Sequence, residues 1–209
     1  MKPFTRLEAV ACPLPLSNVD TDQLIPARFM KRSRAEGYGG FLLHDLRFDE
    51  AGAERPGFPL NDPRREDAKV LVARRNFGSG SSREAAVYAL VDYGIDCVVA
   101  PSFGDIFSSN AVNNGLLPAV VGEEDCEALL AALEGGTLRA TVDLEAQRIE
   151  AGPLAIPFAI DPVWRTKLLN GWDDIDLTRS HLGAIAAFME ADRARRPWMQ
   201  PNITEGNAP

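Results

Sequence analysis

Three short apolar runs at regular spacing constrain this chain more than any other feature. Residues 69–73 (Lys69-Val70-Leu71-Val72-Ala73), 96–100 (Asp96-Cys97-Val98-Val99-Ala100) and 117–121 (Leu117-Pro118-Ala119-Val120-Val121) are each bounded by charged or turn-forming residues. Such runs read as strands buried on both faces. Between the first two, Ala85, Ala86, Leu90 and Val91 fall on one face at helical spacing. Between the second and third, Ser102 can cap a helix, with Asp105 completing a capping-box-like arrangement. That helix runs to about Val112 and is stopped by Asn113-Asn114-Gly115. Strand–helix–strand–helix–strand predicts a parallel α/β sheet. In such sheets ligands gather at the carboxyl ends of the strands, where both helix starts would lie.

The first strand-to-helix junction carries the chemistry. It reads N-F-G-S-G-S-S-R-E from Asn76 to Glu84. Gly78 and Gly80 permit positive φ and close backbone approach to a ligand. Ser81 or Ser82 is a good N-cap, so the helix is expected to begin at the serines. Free N–H groups, hydroxyls and the positive end of a helix dipole then face whatever lies above, and Arg83 adds a planar fork for a carboxylate or phosphate. A plain serine-capped turn is the alternative. The nucleotide loops are excluded, because no lysine follows Gly80 and Arg83 stands where the dinucleotide fingerprint needs glycine. The expected ligand is a small carboxylate or phosphate.

At 209 residues the chain is long enough for one domain with a substantial core. Its net charge of −8 argues against a general nucleic-acid or acidic-membrane surface. No apolar run approaches the length of a membrane span and the first residues contain no apolar signal core, so a cytoplasmic protein is expected. Cys12, Cys97 and Cys126 are scattered without C-x-x-C spacing, and His44 and His181 are the only histidines. Neither a disulfide framework nor a metal site in this chain is expected.

Residues 4–12 alternate loosely and suggest an edge strand. Asp20, Thr21 and Asp22 then form a turn-rich stretch whose side chains either bond their own backbone or buttress an arginine in a site. Residues 31–67 are the least regular part, expected to be a functional or mobile loop; Lys31, Arg32 and Arg34 within it form either a solvated face or a cationic lid. Beyond the third strand the pattern predicts a helix over 123–133 and short strands at 138–144, 148–151 and 156–160. It predicts further helices from Pro162 to Leu169 and over about 177–195, the latter with Leu182, Ile185, Ala186 and Met189 on its apolar side. One domain over residues 1–195 is expected, followed by a frayed tail over 196–209.

Several of these stretches, in collinear order over roughly residues 4–190, resemble the small subunit of bacterial 3-isopropylmalate dehydratase, the swivelling domain of the aconitase superfamily. They are N-V-D-T-D-Q-L-I-P-A-R-F, E-G-Y-G-G-F-L-L-H-D-L-R-F-D, N-F-G-S-G-S-S-R-E, F-G-D-I-F-S-S-N-A-V-N-N-G-L-L-P and I-D-P-V-W-R-T-K-L-L-N-G-W-D-D-I-D-L-T. The resemblance implies an α/β fold, the three-layer β/β/α swivelling domain, and a hydro-lyase of leucine biosynthesis active only with a large subunit. That partner would carry a [4Fe-4S] cluster, and the substrate would be a small dicarboxylate. The family's base falls on Ser81 and its carboxylate clamp on Arg83. Ser79, Gly80 and Ser82 would hold substrate, Asp22 and Thr21 would stand behind them, and the loop over 31–47, with Arg34 and Arg47, would select the substrate's side chain.

Typical members read G-C-G-S-S-R-E-H-A, whereas here Ser79 replaces the cysteine and Ala85 the histidine. A relative acting on another alkyl- or methyl-malate is therefore an alternative, as is a non-catalytic anion-binding module.

Overall fold

The computed structural model describes residues 1–199, so the last part of the expected tail, residues 200–209, lies outside the described residues. Where one domain over 1–195 was expected, the chain divides after Trp172. Residues 1–172 form one compact unit and a second begins at Asp173.

The first unit is built on a seven-stranded mixed sheet. In chain order its elements are β1 (Arg6–Leu14), α1 (Thr21–Leu24), α2 (His44–Arg47), β2 (Ala68–Ala73), α3 (Glu84–Tyr93), β3 (Cys97–Ala100), α4 (Asp105–Asn113), β4 (Leu117–Val120), α5 (Glu123–Glu134), β5 (Arg139–Asp143), β6 (Arg148–Ala151), β7 (Leu154–Pro157) and α6 (Pro162–Asn170). The strands lie in the order β4-β3-β2-β1-β5-β6-β7, parallel from β4 to β1 and antiparallel from β1 to β7.

Successive residues of a strand point to opposite faces, and this alternation splits the core in two. Leu71, Ala73, Val98 and Ala100 face α3 and α4, where Ala86, Val87, Leu90 and Phe107 meet them. Val70, Val72, Cys97 and Val99 face the other way, onto Leu129, Leu130 and Leu133 of α5 and onto Val142, Ile149 and Ile156 of β5–β7. The antiparallel half thus folds over the parallel half and shares its core. Val120 and Ala159 exchange backbone hydrogen bonds of 3.0 and 2.7 Å beside β4, which brings the far end of the sheet back to its start. This is the β/β/α layering with a parallel βαβαβ core. The carboxyl end of α5 is capped from a distance by the buried Arg65, which donates to Leu133 O at 2.6 Å and also to Ala11 O.

Several local expectations are corrected. The strand expected at an edge is β1, and it lies in the interior of the sheet between β2 and β5. Its small residues, Ala9, Ala11 and Cys12, are buried without giving a strong apolar signal. Residues 31–67 are not featureless: they form short 3-10 turns and α2, and they bury Tyr38, Leu42, Leu43 and Leu60 in the first core. Turns this short have no period to read. In the second unit, the helix expected over 177–195 is two helices, α7 (Asp174–Ser180) and α8 (Leu182–Arg195), broken at His181. A capping box between Asp173 and Asp176 starts α7 one turn early.

Candidate active site

The carboxyl ends of β1, β2 and β3 point the same way, because these strands are parallel. The loops that leave them are sewn together side by side, with the middle one continuing the sheet beyond β2. On one side, Arg74 N donates to Leu16 O (3.1 Å), Asn18 N to Arg75 O (2.9 Å), Gly78 N to Val19 O (2.7 Å) and Thr21 N to Ser79 O (2.9 Å). On the other side, Asn76 N donates to Ser102 Oγ (2.9 Å), Phe77 N to Ser102 O (3.0 Å) and Gly104 N to Phe77 O (2.9 Å). Asn18 and Asn76, both at positive φ, are joined by an amide hydrogen bond of 2.8 Å; asparagine tolerates that region better than most residues.

Gly78 is where the middle loop needs glycine most. Its φ is +71°, and a Cβ there would lie 2.2 Å from the Phe107 ring. Phe77, Phe103 and Phe107 form a ring cluster beneath the loop, with centroids 5.4–6.2 Å apart. The floor of the site is therefore rigid and apolar. Its rim is polar.

The helix does not begin at the serines. α3 starts at Glu84, its N-cap position is Arg83, and no side chain caps it. Likewise α4 starts at Asp105 with Gly104 at the cap position, because Ser102 spends its hydroxyl on Asn76. Long-range bonds to neighbouring loops, which local propensity cannot report, hold both junctions away from the capped geometry. As a result the Ser81 and Ser82 side chains, both exposed, make no hydrogen bond among the described residues. The backbone N–H groups of Gly80, Ser81 and Ser82 are also unbonded there. Arg83 N turns back to Ser81 O at 2.8 Å, and the Arg83 guanidinium bonds the Asp22 carboxylate.

The structure thus brings together Asp22, Thr21, Ser79, Gly80, Ser81, Ser82 and Arg83. It holds Arg34 and Arg47 elsewhere. Arg34 stacks on Tyr88 at 3.8 Å and grips Asp92 with bonds of 2.7–3.3 Å. Arg47 is buried, donates to Asn61 Oδ1 at 3.0 Å, and lies over the rings of Phe48 and Tyr93. Arg47 thus lies beside Tyr93 at the far end of α3, about 12 Å along the helix from the serine loop, while Arg34 reaches Tyr88 and Asp92, about one and two turns in from Glu84. The sequence reading missed Asn18, Asn76 and Ser102; the asparagines flanking two turn-forming stretches were the available signal.

Exposed hydroxyls, unpaired N–H donors and an arginine at a helix start make a cradle for a carboxylate. The three cysteines offer nothing comparable for a metal. All are fully buried. Burial pushes the Cys12 thiol up to about 12 and the Cys126 thiol up to about 11. Among the described residues no trio of His, Cys, Asp or Glu is grouped to hold an ion.

The chain is similar to several known proteins. The aconitase C-terminal domain family matches residues 1–124. A 3-isopropylmalate dehydratase small subunit of Rhodospirillum centenum is 50% identical over 200 residues, covering 95% of this chain and 98% of that protein. One of Caulobacter vibrioides is 48% identical over 201 residues, covering 96% and 100%. Among solved structures, a 3-isopropylmalate dehydratase of Methanocaldococcus jannaschii matches with a TM-score of 0.62 at 26% identity, over 87% of this chain and 99% of that one.

Proposed function

The chain belongs to the family of 3-isopropylmalate dehydratase small subunits, built on the aconitase C-terminal domain, and from that premise we propose how its serine loop works. The protein is the small subunit of a hydro-lyase that interconverts 2-isopropylmalate and 3-isopropylmalate through isopropylmaleate, in leucine biosynthesis. The observation that carries the reading is the release of Ser81 and Ser82 from helix capping, which leaves two hydroxyls and three peptide N–H groups without partners among the described residues at the carboxyl end of the sheet.

Dehydration removes a proton from one carbon and hydroxide from its neighbour; rehydration returns both with the positions exchanged, so atoms balance over the cycle. Ser81 is the base. A serine oxygen is a weak base at neutral pH, and the helix start, the adjacent N–H donors and Arg83 stabilise its anionic form. Arg83 clamps a substrate carboxylate, Ser82 and the Ser79 hydroxyl donate to the same group, and Gly80 lets it approach the backbone closely. Asp22 fixes the direction of the Arg83 fork. Arg34 and Arg47 act on the substrate indirectly, by holding the 31–67 segment against α3.

The buried, proton-holding thiols of this chain do not fit an iron–sulfur cluster, which needs thiolates converging on one point. We assign the [4Fe-4S] cluster to the large subunit, where it would supply the Lewis acidity for hydroxide departure.

A second reading is favoured by Ala85. It sits half-buried in the first turn of α3, where typical members carry histidine. A related hydratase acting on another alkyl- or methyl-malate keeps every role above and changes only the substrate's side chain. No helix among the described residues is long and apolar enough to cross a membrane.

The test is an anaerobic ultraviolet assay of this chain mixed with a cluster-loaded large subunit. Isopropylmalate, citraconate, dimethylmaleate and cis-aconitate are offered side by side. Turnover of isopropylmalate far above the others supports the leucine-pathway reading. Preference for another acid reassigns the substrate, and silence with all four, given an intact cluster, leaves only a non-catalytic anion-binding module.

A further inference from the structure

Thr21 is 2% exposed, and its hydroxyl is the one buried side-chain polar atom without a hydrogen-bond partner among the described residues. Its backbone is fully engaged: Thr21 N donates to Ser79 O at 2.9 Å and Thr21 O accepts from Ile25 N at 3.1 Å. Native folds leave few buried hydroxyls unsatisfied, because each has given up its water for nothing.

The hydroxyl faces the serine loop. A Cβ on residue 80 would lie 3.4 Å from Thr21 Oγ1, in ordinary van der Waals contact, so the hydroxyl sits directly against the Gly80 position. Gly80 has a φ of +96° and can change conformation more freely than any other residue type there. On the loop's side, the peptide N–H groups of Gly80 and Ser81 are unbonded among the described residues. A buried, unpartnered hydroxyl and two exposed N–H donors of the loop therefore lie at the same junction. Two fixed contacts flank it, Thr21 N to Ser79 O and the Asp22–Arg83 pair.

We infer that Thr21 is a positioning residue for Ser81: its hydroxyl accepts from a peptide N–H of Gly80 or Ser81 when the large subunit covers the serine loop, and this fixes the serine oxygen. The inference rests on the reading of Ser81 as the base. Thr21 touches no substrate. It acts through the backbone that carries the base, and the chain alone keeps the contact unmade.

Three variants test it. Thr21→Val keeps the volume and removes the hydroxyl, Thr21→Ala removes it with less bulk, and Thr21→Ser retains it. In the chain alone, Thr21→Val raises the thermal midpoint by about 2–4 °C, because the orphan is gone. In the assembled enzyme, Thr21→Val and Thr21→Ala lower kcat about tenfold, the worth of one positioning hydrogen bond, while KM stays within about twofold and Thr21→Ser restores kcat. Amide exchange at Gly80–Ser82 slows on assembly in the wild type and in Thr21→Ser, and does not slow in the other two. Wild-type kcat in Thr21→Val, or exchange slowed equally in all variants, overturns the inference. Should the wild-type pair turn over none of the acids offered, the proposed reaction fails, and the exchange difference on assembly still decides the role of Thr21.

Discussion

The Arg83 guanidinium and the Asp22 carboxylate are bonded to each other across the boundary between two loops, one leaving β1 and the other leaving β2. The pair is partly exposed, Asp22 at 57% and Arg83 at 32%, so it adds little to stability. Its consequence is directional, since a fork already aimed by one carboxylate loses less entropy in meeting a second. Asp22→Asn is expected to leave unfolding within about 0.5 kcal/mol of wild type. The same change raises KM for the dicarboxylate about tenfold, the worth of one charge-assisted hydrogen bond. Chemical denaturation and steady-state kinetics of the assembled enzyme check the two halves. A large stability loss with unchanged KM would return Asp22 to a purely structural role.

Ser81 and Ser82 separate capping from catalysis. Replacing a serine that caps a helix with alanine costs about 1 kcal/mol. Neither serine caps α3, so Ser81→Ala and Ser82→Ala should each shift stability by less than half of that. Ser81→Ala should nonetheless lower kcat by about 10²–10⁴, the range for loss of a positioned base. Ser82→Ala should act mainly on KM. Equal stability losses of a capping magnitude in both variants would count against an uncapped α3.

The sequence reading reached the parallel core because each of its strands is short, apolar and bounded, and because Ala86 and Leu90 of α3 recur at the helical period. It singled out the serine loop because glycine, serine and arginine carry their chemistry wherever the backbone takes them. It misplaced the start of α3, because Thr21, Asn18 and Ser102, all distant in sequence, decide the course of residues 76–83. The partners of Arg34 and Arg47 were illegible for the same kind of reason: Asp92 and Asn61, 58 and 14 positions away, hold those guanidinium groups. β1 passed for an edge strand because residues 4–12 alternate only loosely, with buried side chains as small as Ala9 and Ala11.

Gly78 supports the loop from below. Any side chain there would meet the Phe107 ring at 2.2 Å and a backbone at φ +71°. The ring cannot retreat, because Phe77 and Phe103 hold it. Gly78→Ala is expected to cost more than about 2 kcal/mol, from overpacking together with a strained φ. It should also remove turnover, because the loop that carries Ser81 is displaced. Denaturation midpoints and amide exchange across residues 76–83 measure both. A variant as stable as the wild type would show that the aromatic floor yields more readily than its packing implies.

The thiols give the protein an alkaline limit. Burial raises Cys12 to about 12 and Cys126 to about 11, and raises Cys97 as well. In the unfolded chain a thiol ionises near 8.5. Below about pH 8 both states hold these protons, and the stability contribution is constant. From about pH 9 to 11 the unfolded state has released protons that the folded state still binds, so stability falls as pH rises. Urea unfolding followed at pH 8, 9.5 and 10.5 should show this decline, with a shallower slope in Cys126→Ala than in the wild type. An aromatic disulfide reagent at pH 8 should label no thiol in the native chain and all three cysteines in urea. Rapid native labelling, or an alkaline slope that the alanine variant does not reduce, would mean that the interior around these cysteines admits water and hydroxide.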